Sequence, residues 1–165
     1  MALYVLGISL KEAREISVGK RKKEIFPLGL YLYVGQAKRN LTARLQRHLR
    51  REKKKHWHID FLLEYADIVG IALFREEAEC FLAQCFMGLP EIRGFIPRFG
   101  ASDCRCLTHL FLLGERYTFP DVFASLERVF HLSPGQVWYG EGGVIGEGVF
   151  ASFVRCGRHS PGNSC

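Results

Sequence analysis

Leu28-Gly29-Leu30-Tyr31-Leu32-Tyr33-Val34 reads as a strand, and Leu41-Thr42-Ala43-Arg44-Leu45-Gln46-Arg47-His48-Leu49-Arg50-Arg51, which follows Gly35, reads as a helix. The first stretch is rich in Tyr, Leu and Val, types that suit a pleated, half-buried surface. The second repeats leucine at i, i+4 and i+8, which lines up one buried stripe. At about 100° per residue, Arg44 falls at the edge of that stripe, where a guanidinium can lie along the surface into a cleft. Arg47, His48 and Arg51 take an adjoining face, and Arg50 points away.

Working outward, residues 2–9 read as a strand, Glu15–Val18 as a short one, and Gly19–Lys23 as a basic turn leading to Ile25. Connections this short predict an antiparallel sheet. Read as a strand, Lys53–Leu63 puts Trp57, Ile59 and Phe61 on one face by alternation and His56, His58 and Asp60 on the other. Read as the start of a helix instead, His56 and Asp60 remain neighbours at i, i+4. Asp67–Phe74 is a further apolar strand. Glu76–Met87 is a helix whose core stripe is Ala78, Phe81, Leu82, Cys85 and Phe86, with Glu77 and Glu79 on its two margins; periodicity does not choose between them. Gly94 opens a loop that carries Ser102-Asp103-Cys104-Arg105-Cys106, and Leu107–Leu113 is a strand. Pro120 starts an amphipathic helix over about 120–131. Beyond Ser133 glycine is frequent, and residues 160–165 read as a frayed end. The expected class is α+β: a small, mainly antiparallel sheet flanked by helices over 1–112, with a C-terminal extension over 113–165.

The 165 residues are 48% hydrophobic and 24% charged, a balance that excludes global disorder. No apolar run is long enough to span a bilayer, so no membrane partner is expected. Met1–Gly7 runs into strand-like sequence with neither a basic region nor a cleavage site, so an intracellular, cytoplasmic protein is expected. The net charge of +6 hides an asymmetry. Between Lys20 and Lys55 thirteen basic residues face only Glu24 and Glu52, whereas the remainder is acidic on balance. A cationic block flanked by aromatic residues points to nucleic acid. Lys38, Arg39, Arg47, Arg51, Lys53, Lys54, Lys55, His56 and His58 are its candidate contacts. The six cysteines, without a secretory signal, read as reduced thiols, with Cys80 and Cys85 as small core residues. Cys104, Cys106 and His109 offer ligands for a structural zinc ion, although C-x-C departs from the usual knuckle spacing. The alternative is a loop that packs beneath the cleft.

Four motifs in order, G-x-Y-x-Y-V-G (29–35), R-H-L-R (47–50), W-H-I-D (57–60) and S-D-C-x-C-x-x-H-L-F (102–111), resemble a small branch of the GIY-YIG nuclease superfamily over approximately residues 2–112. Ala2-Leu3-Tyr4 is the best match to the family's opening triplet, with alanine in place of glycine. The resemblance implies a GIY-YIG-like fold and a catalytic set of Tyr4, Tyr33, Arg44, His48 and Glu79, with Glu79 holding Mg²⁺ or another divalent cation. It implies a metal-dependent endonuclease of structure-specific or repair type, acting on DNA in preference to RNA, with base-excision or other repair proteins as candidate associates. The chemistry is coherent. A phosphodiester transition state calls for cationic stabilisation, a guanidinium fork matches phosphate, and Mg²⁺ takes few protein ligands. Read without the resemblance, the tyrosines are ordinary strand aromatics and Arg44 and Glu79 an ion pair. The alternative function is a binding module that uses the same cationic cleft without chemistry.

Overall fold

A strand whose residues are apolar without alternation must be covered on both faces, and Ala2–Leu10, apolar but for Ser9, is such a strand. The computed structural model describes residues 2–20, 23–75, 78–140 and 143–156. In chain order its elements are β1 (Ala2–Leu10), β2 (Arg14–Ser17), β3 (Lys23–Phe26), β4 (Gly29–Ala37), α1 (Leu41–Leu49), α2 (His58–Leu62), β5 (Asp67–Arg75), α3 (Glu79–Met87), β6 (Ile92–Phe95), β7 (Leu110–Leu113), α4 (Phe119–Phe130), β8 (Gln136–Tyr139) and α5 (Glu147–Cys156). Six strands form one sheet in the order β6-β7-β4-β1-β5-β8, and every pairing is antiparallel. β2 and β3 form a separate hairpin. The α+β class and the antiparallel sheet are as the sequence leads one to expect.

Alternation along β1 and β4 divides the core in two. Tyr4, Leu6, Ile8, Tyr31 and Tyr33 face a layer built from α1, α2, the hairpin and α5, through Leu45, Leu49, Ile59, Leu62, Phe26 and Phe150. Leu3, Val5, Leu32, Val34 and Phe74 face α3 and α4, through Leu82, Phe86, Val122, Phe123 and Leu126. Residues beyond 112 belong to this architecture: β8 extends the sheet along β5, and α4 covers its second face. Phe119 lies flat over the cross-strand pair Gly7 and Gly70, where an added Cβ would stand 2.7 Å and 2.4 Å from its ring. No helix among the described residues is long and apolar enough to cross a membrane.

Of the two readings of Lys53–Leu63 the helical one holds: residues 58–62 form α2, and Asp60, which alternation grouped with His56 and His58 on a polar face, is buried. Three local expectations are corrected. The loop expected to open at Gly94 starts inside a strand instead: Gly94 and Phe95 belong to β6, which pairs with β7 through an irregular register. The Gly-rich region after Ser133 contains β8 and α5. On α3, Ala83 is buried in place of Phe81, which is exposed together with Ala78. Glu77 and residues 160–165 lie outside the described residues.

Candidate active site and metal-ligating cluster

Tyr4 and Tyr33 sit on neighbouring strands of the first face, one pair out of register, because Tyr4 pairs with Gly35 and Leu6 with Tyr33. Gly35 is what allows this. Its missing side chain leaves room for the Tyr4 ring, whose Cζ would be 2.4 Å from a Cβ there. After β4, Asn40 adopts a left-handed conformation and caps α1 by accepting from the Ala43 amide at 3.0 Å. That cap aims the Arg44 face of α1 at the two tyrosines. Glu79, the first residue of α3, enters from the end of β5, and the 100–103 loop closes the far wall. The result is a polar cleft of about 460 Å³ whose lining includes Tyr4, Tyr33, Lys38, Arg44, His56, His58 and Glu79. These are seven of the residues singled out from sequence, brought together from five separate segments. Trp57, Ser102 and Asp103 join them. The last two were legible only as neighbours of the C-x-C motif.

His48 is not in this lining. It lies behind Tyr4, 3% exposed, with Nε2 2.7 Å from the phenol oxygen. Burial foremost, and then Lys53, lower its pKa to about 3, so the ring is neutral. Its Nδ1 has no hydrogen-bond partner among the described residues. A buried lone pair without a partner costs less than a buried N–H without one, so the tautomer we assign carries its proton on Nε2 and donates to Tyr4. Burial also raises both phenols above the ordinary tyrosine value. Arg44 opposes this at Tyr4, while Glu79 adds to it at both. Tyr4 and Tyr33 therefore face the cleft as neutral hydroxyls, able to donate hydrogen bonds and poorly suited to act as bases. The guanidinium carbons of Arg44 and Arg47 lie over the Trp57 ring at 4.3 Å and 4.1 Å, which holds Arg44 towards the cleft.

Several basic residues expected at the nucleic-acid face have partners within the fold. Arg47 donates to both oxygens of Asp60 at 2.9 Å and to the Lys54 carbonyl. Lys53 donates to the carbonyls of Arg47 and His48, closing the end of α1. Arg51 pairs with Asp67, and Lys55 with Glu64. Lys38, Arg39 and Lys54 are exposed. Asp60 also accepts from the amides of His56 and Trp57. Burial would raise its pKa, but the Arg47 fork and the two amides outweigh burial and lower it. The Asp60 carboxylate therefore holds α1 to the loop that presents Trp57 and His58. Asp60→Asn should cost about 3 kcal/mol at neutral pH, as when one partner of a buried pair is removed. Because the folded pKa is depressed, that contribution is complete above about pH 5 and is lost as pH falls through the folded value. Urea midpoints of wild type and variant, measured against pH, should converge in acid; a constant gap would contradict this role.

On the far side of Glu79 lies a second constellation. Cys80, Cys104, Cys106 and His109 offer four ligand atoms within 4.8 Å of one another, a group that could hold a metal ion. Cys80, read from sequence as a core residue, is half-buried and turned into this cluster. Burial, and then the neighbouring thiols, push the Cys106 thiol up to about 12. Glu79 Oε1 stands 3.3 Å from His109 Nδ1, within ion-pair range but not aligned as a hydrogen bond. One carboxylate thus borders both the cleft and the cluster.

The chain belongs to the family described as domain of unknown function DUF123, whose profile matches residues 3–133. The matched span runs from β1 through α4 and stops ahead of β8. No curated protein and no solved structure matches the chain.

Proposed function

We propose that this protein is a metal-dependent nucleic-acid phosphodiesterase of the GIY-YIG type, an endonuclease acting on DNA in preference to RNA. The observation that carries this reading is the convergence of two neutral phenols, the Arg44 guanidinium and the Glu79 carboxylate on a single polar cleft. The donor set suits Mg²⁺: Glu79 is a hard oxygen ligand, 26% exposed, at the wall of a cleft roomy enough for the waters Mg²⁺ retains. When bound, the cation would neutralise phosphate charge and acidify a water. Arg44, oriented by Trp57, would pair with non-bridging oxygens, as its planar fork suits phosphate. Tyr4, its oxygen fixed by His48, would donate a hydrogen bond to the charge that develops on the phosphoryl group, and Tyr33 would do likewise. Lys38, His56 and His58 would line the path of the flanking backbone. Association with repair proteins follows from the same reading.

The test is a cleavage panel of branched, flapped, abasic and single-stranded DNA, with matching RNA, assayed with Mg²⁺ and with chelator. Mg²⁺-dependent strand scission is the expected result. Binding with no scission of any substrate would leave the second reading, a binding module, which the approach of Glu79 to His109 favours. Both readings expect salt-sensitive affinity. Replacing Lys38, Arg39 and Lys54 together by Ala should weaken binding to duplex DNA. It should also flatten the dependence of log K on log salt by about 0.9 for each phosphate these side chains neutralise. An unchanged slope would remove these residues from the interface.

A further inference from the structure

We infer that Cys80, Cys104, Cys106 and His109 are the four ligands of a structural zinc ion, and that Glu79 positions His109 on it. The site is independent of whether the cleft hydrolyses anything. Three soft sulfur donors and one imidazole are a zinc set, and Mg²⁺ or Ca²⁺ would find no oxygen ligand among them. Tetrahedral zinc–thiolate bonds place sulfur atoms about 3.8 Å apart, so the cluster, already within 4.8 Å, needs only a small contraction. With four protein ligands no position stays open for substrate, which makes the ion structural.

The scaffold around the cluster supports the same conclusion. Arg98, itself at φ 59° in the left-handed region, donates to the Cys106 carbonyl at 2.7 Å and to the Cys104 carbonyl at 3.0 Å. Its fork sets the C-x-C backbone without using either thiol. His109 is held by its main chain on both sides, its amide donating to Phe99 and its carbonyl accepting from Val34. Its side chain is 1% exposed, with Nε2 3.5 Å from Cys104 Sγ. Nδ1 stands 3.3 Å from the Glu79 carboxylate and has no aligned hydrogen-bond partner among the described residues. A metal on Nε2 would put the proton on Nδ1, facing that carboxylate, the arrangement that fixes the tautomer and raises the basicity of a ligand histidine. The ion also supplies something α3 lacks. Its N-cap is Ala78, which makes no side-chain cap, and Cys80 lies in the first turn. Zinc would therefore fasten the uncapped turn that carries Glu79 to the loop that carries Ser102 and Asp103, and so fix one wall of the cleft.

Full-length protein purified under reducing conditions without chelator should contain one zinc per chain by elemental analysis. Cobalt added to chelator-stripped wild type should give the thiolate-to-metal charge-transfer band of a tetrahedral site. Cys80→Ser and Cys104→Ser should each abolish that band, and Glu79→Gln should keep it but weaken zinc affinity 10- to 100-fold. Stripping the wild-type chain covers the case in which a cysteine variant does not fold. The proposal is overturned if stripped, reduced protein takes up neither zinc nor cobalt. It is equally overturned if Cys80→Ser binds as the wild type does, or if freshly purified protein carries a disulfide among these cysteines.

Discussion

Replacing Glu79 by Gln should lower Mg²⁺-dependent cleavage on the order of 10³-fold, the scale seen when charge stabilisation at a reacting centre is removed, while substrate binding without metal persists. The carboxylate stands alone among the residues lining the cleft near Tyr4 and Tyr33, apart from Asp103 on the loop opposite, and it is the one at a fixed helical position. Gln keeps the volume and an oxygen facing His109, so the 3.3 Å approach can remain. Glu79 borders two sites, so a loss of cleavage has two possible origins. Excess zinc separates them: it should restore full occupancy of the cysteine cluster in the variant without restoring cleavage. If zinc restores the rate, Glu79 acts through His109 alone and is not the Mg²⁺ ligand. If the variant cleaves as the wild type does without added zinc, the phosphodiesterase reading loses its metal ligand and the binding module takes its place.

The parts of the molecule legible in sequence are those where one period dominates. Tyr4–Ile8, Leu30–Val34 and Ile68–Phe74 carry apolar runs too short and too β-rich to be helices, and they form the three central strands. Leu41, Leu45 and Leu49 fix α1, and with it the placement of Arg44 at the margin of the stripe. Trp57–Phe61 fits a period of 2 as well as the first turn of a helix, and a long-range contact made the choice. Arg47, thirteen residues upstream, draws the Asp60 carboxylate inward, and a buried carboxylate that also accepts from the His56 and Trp57 amides can sit there only as the start of α2. Cys80 was obscured for a similar reason: its sulfur partners lie on a loop more than twenty positions away, and within its own helix it matches the core pattern. The family resemblance puts His48 beside Tyr4 in one catalytic set, as a candidate for proton transfer. Its burial behind the phenol depends on the crossing of α1 over β1, which no local pattern records.

The Tyr4–His48 pair leads to the second large effect. Tyr4→Phe should reduce kcat by about 10²- to 10³-fold, comparable to losing one transition-state donor, with little change in KM. The reason is electrostatic: burial keeps the phenol neutral, and His48, at a pKa of about 3, stays uncharged and fixes the Tyr4 oxygen at 2.7 Å. Neither group changes charge between about pH 5 and 9, so the rate in that range should show no inflection belonging to the pair. Tyr4→Phe should lower the profile without changing its shape. His48 acts through Tyr4 and is a positioning residue. His48→Leu should therefore cost about tenfold in kcat, His48→Gln, which can still donate, should recover part of that loss, and His48→Leu on the Tyr4→Phe background should cost nothing further. Thermal unfolding of each variant separates this from simple destabilisation, because Tyr4→Phe leaves a buried ring N–H without an acceptor at about 1–3 kcal/mol. Additive losses in the double variant would break the link between the two residues. A basic inflection present in wild type and absent in Tyr4→Phe would mean that Tyr4 takes a proton rather than donating a hydrogen bond, and the tautomer assigned to His48 would have to be reversed.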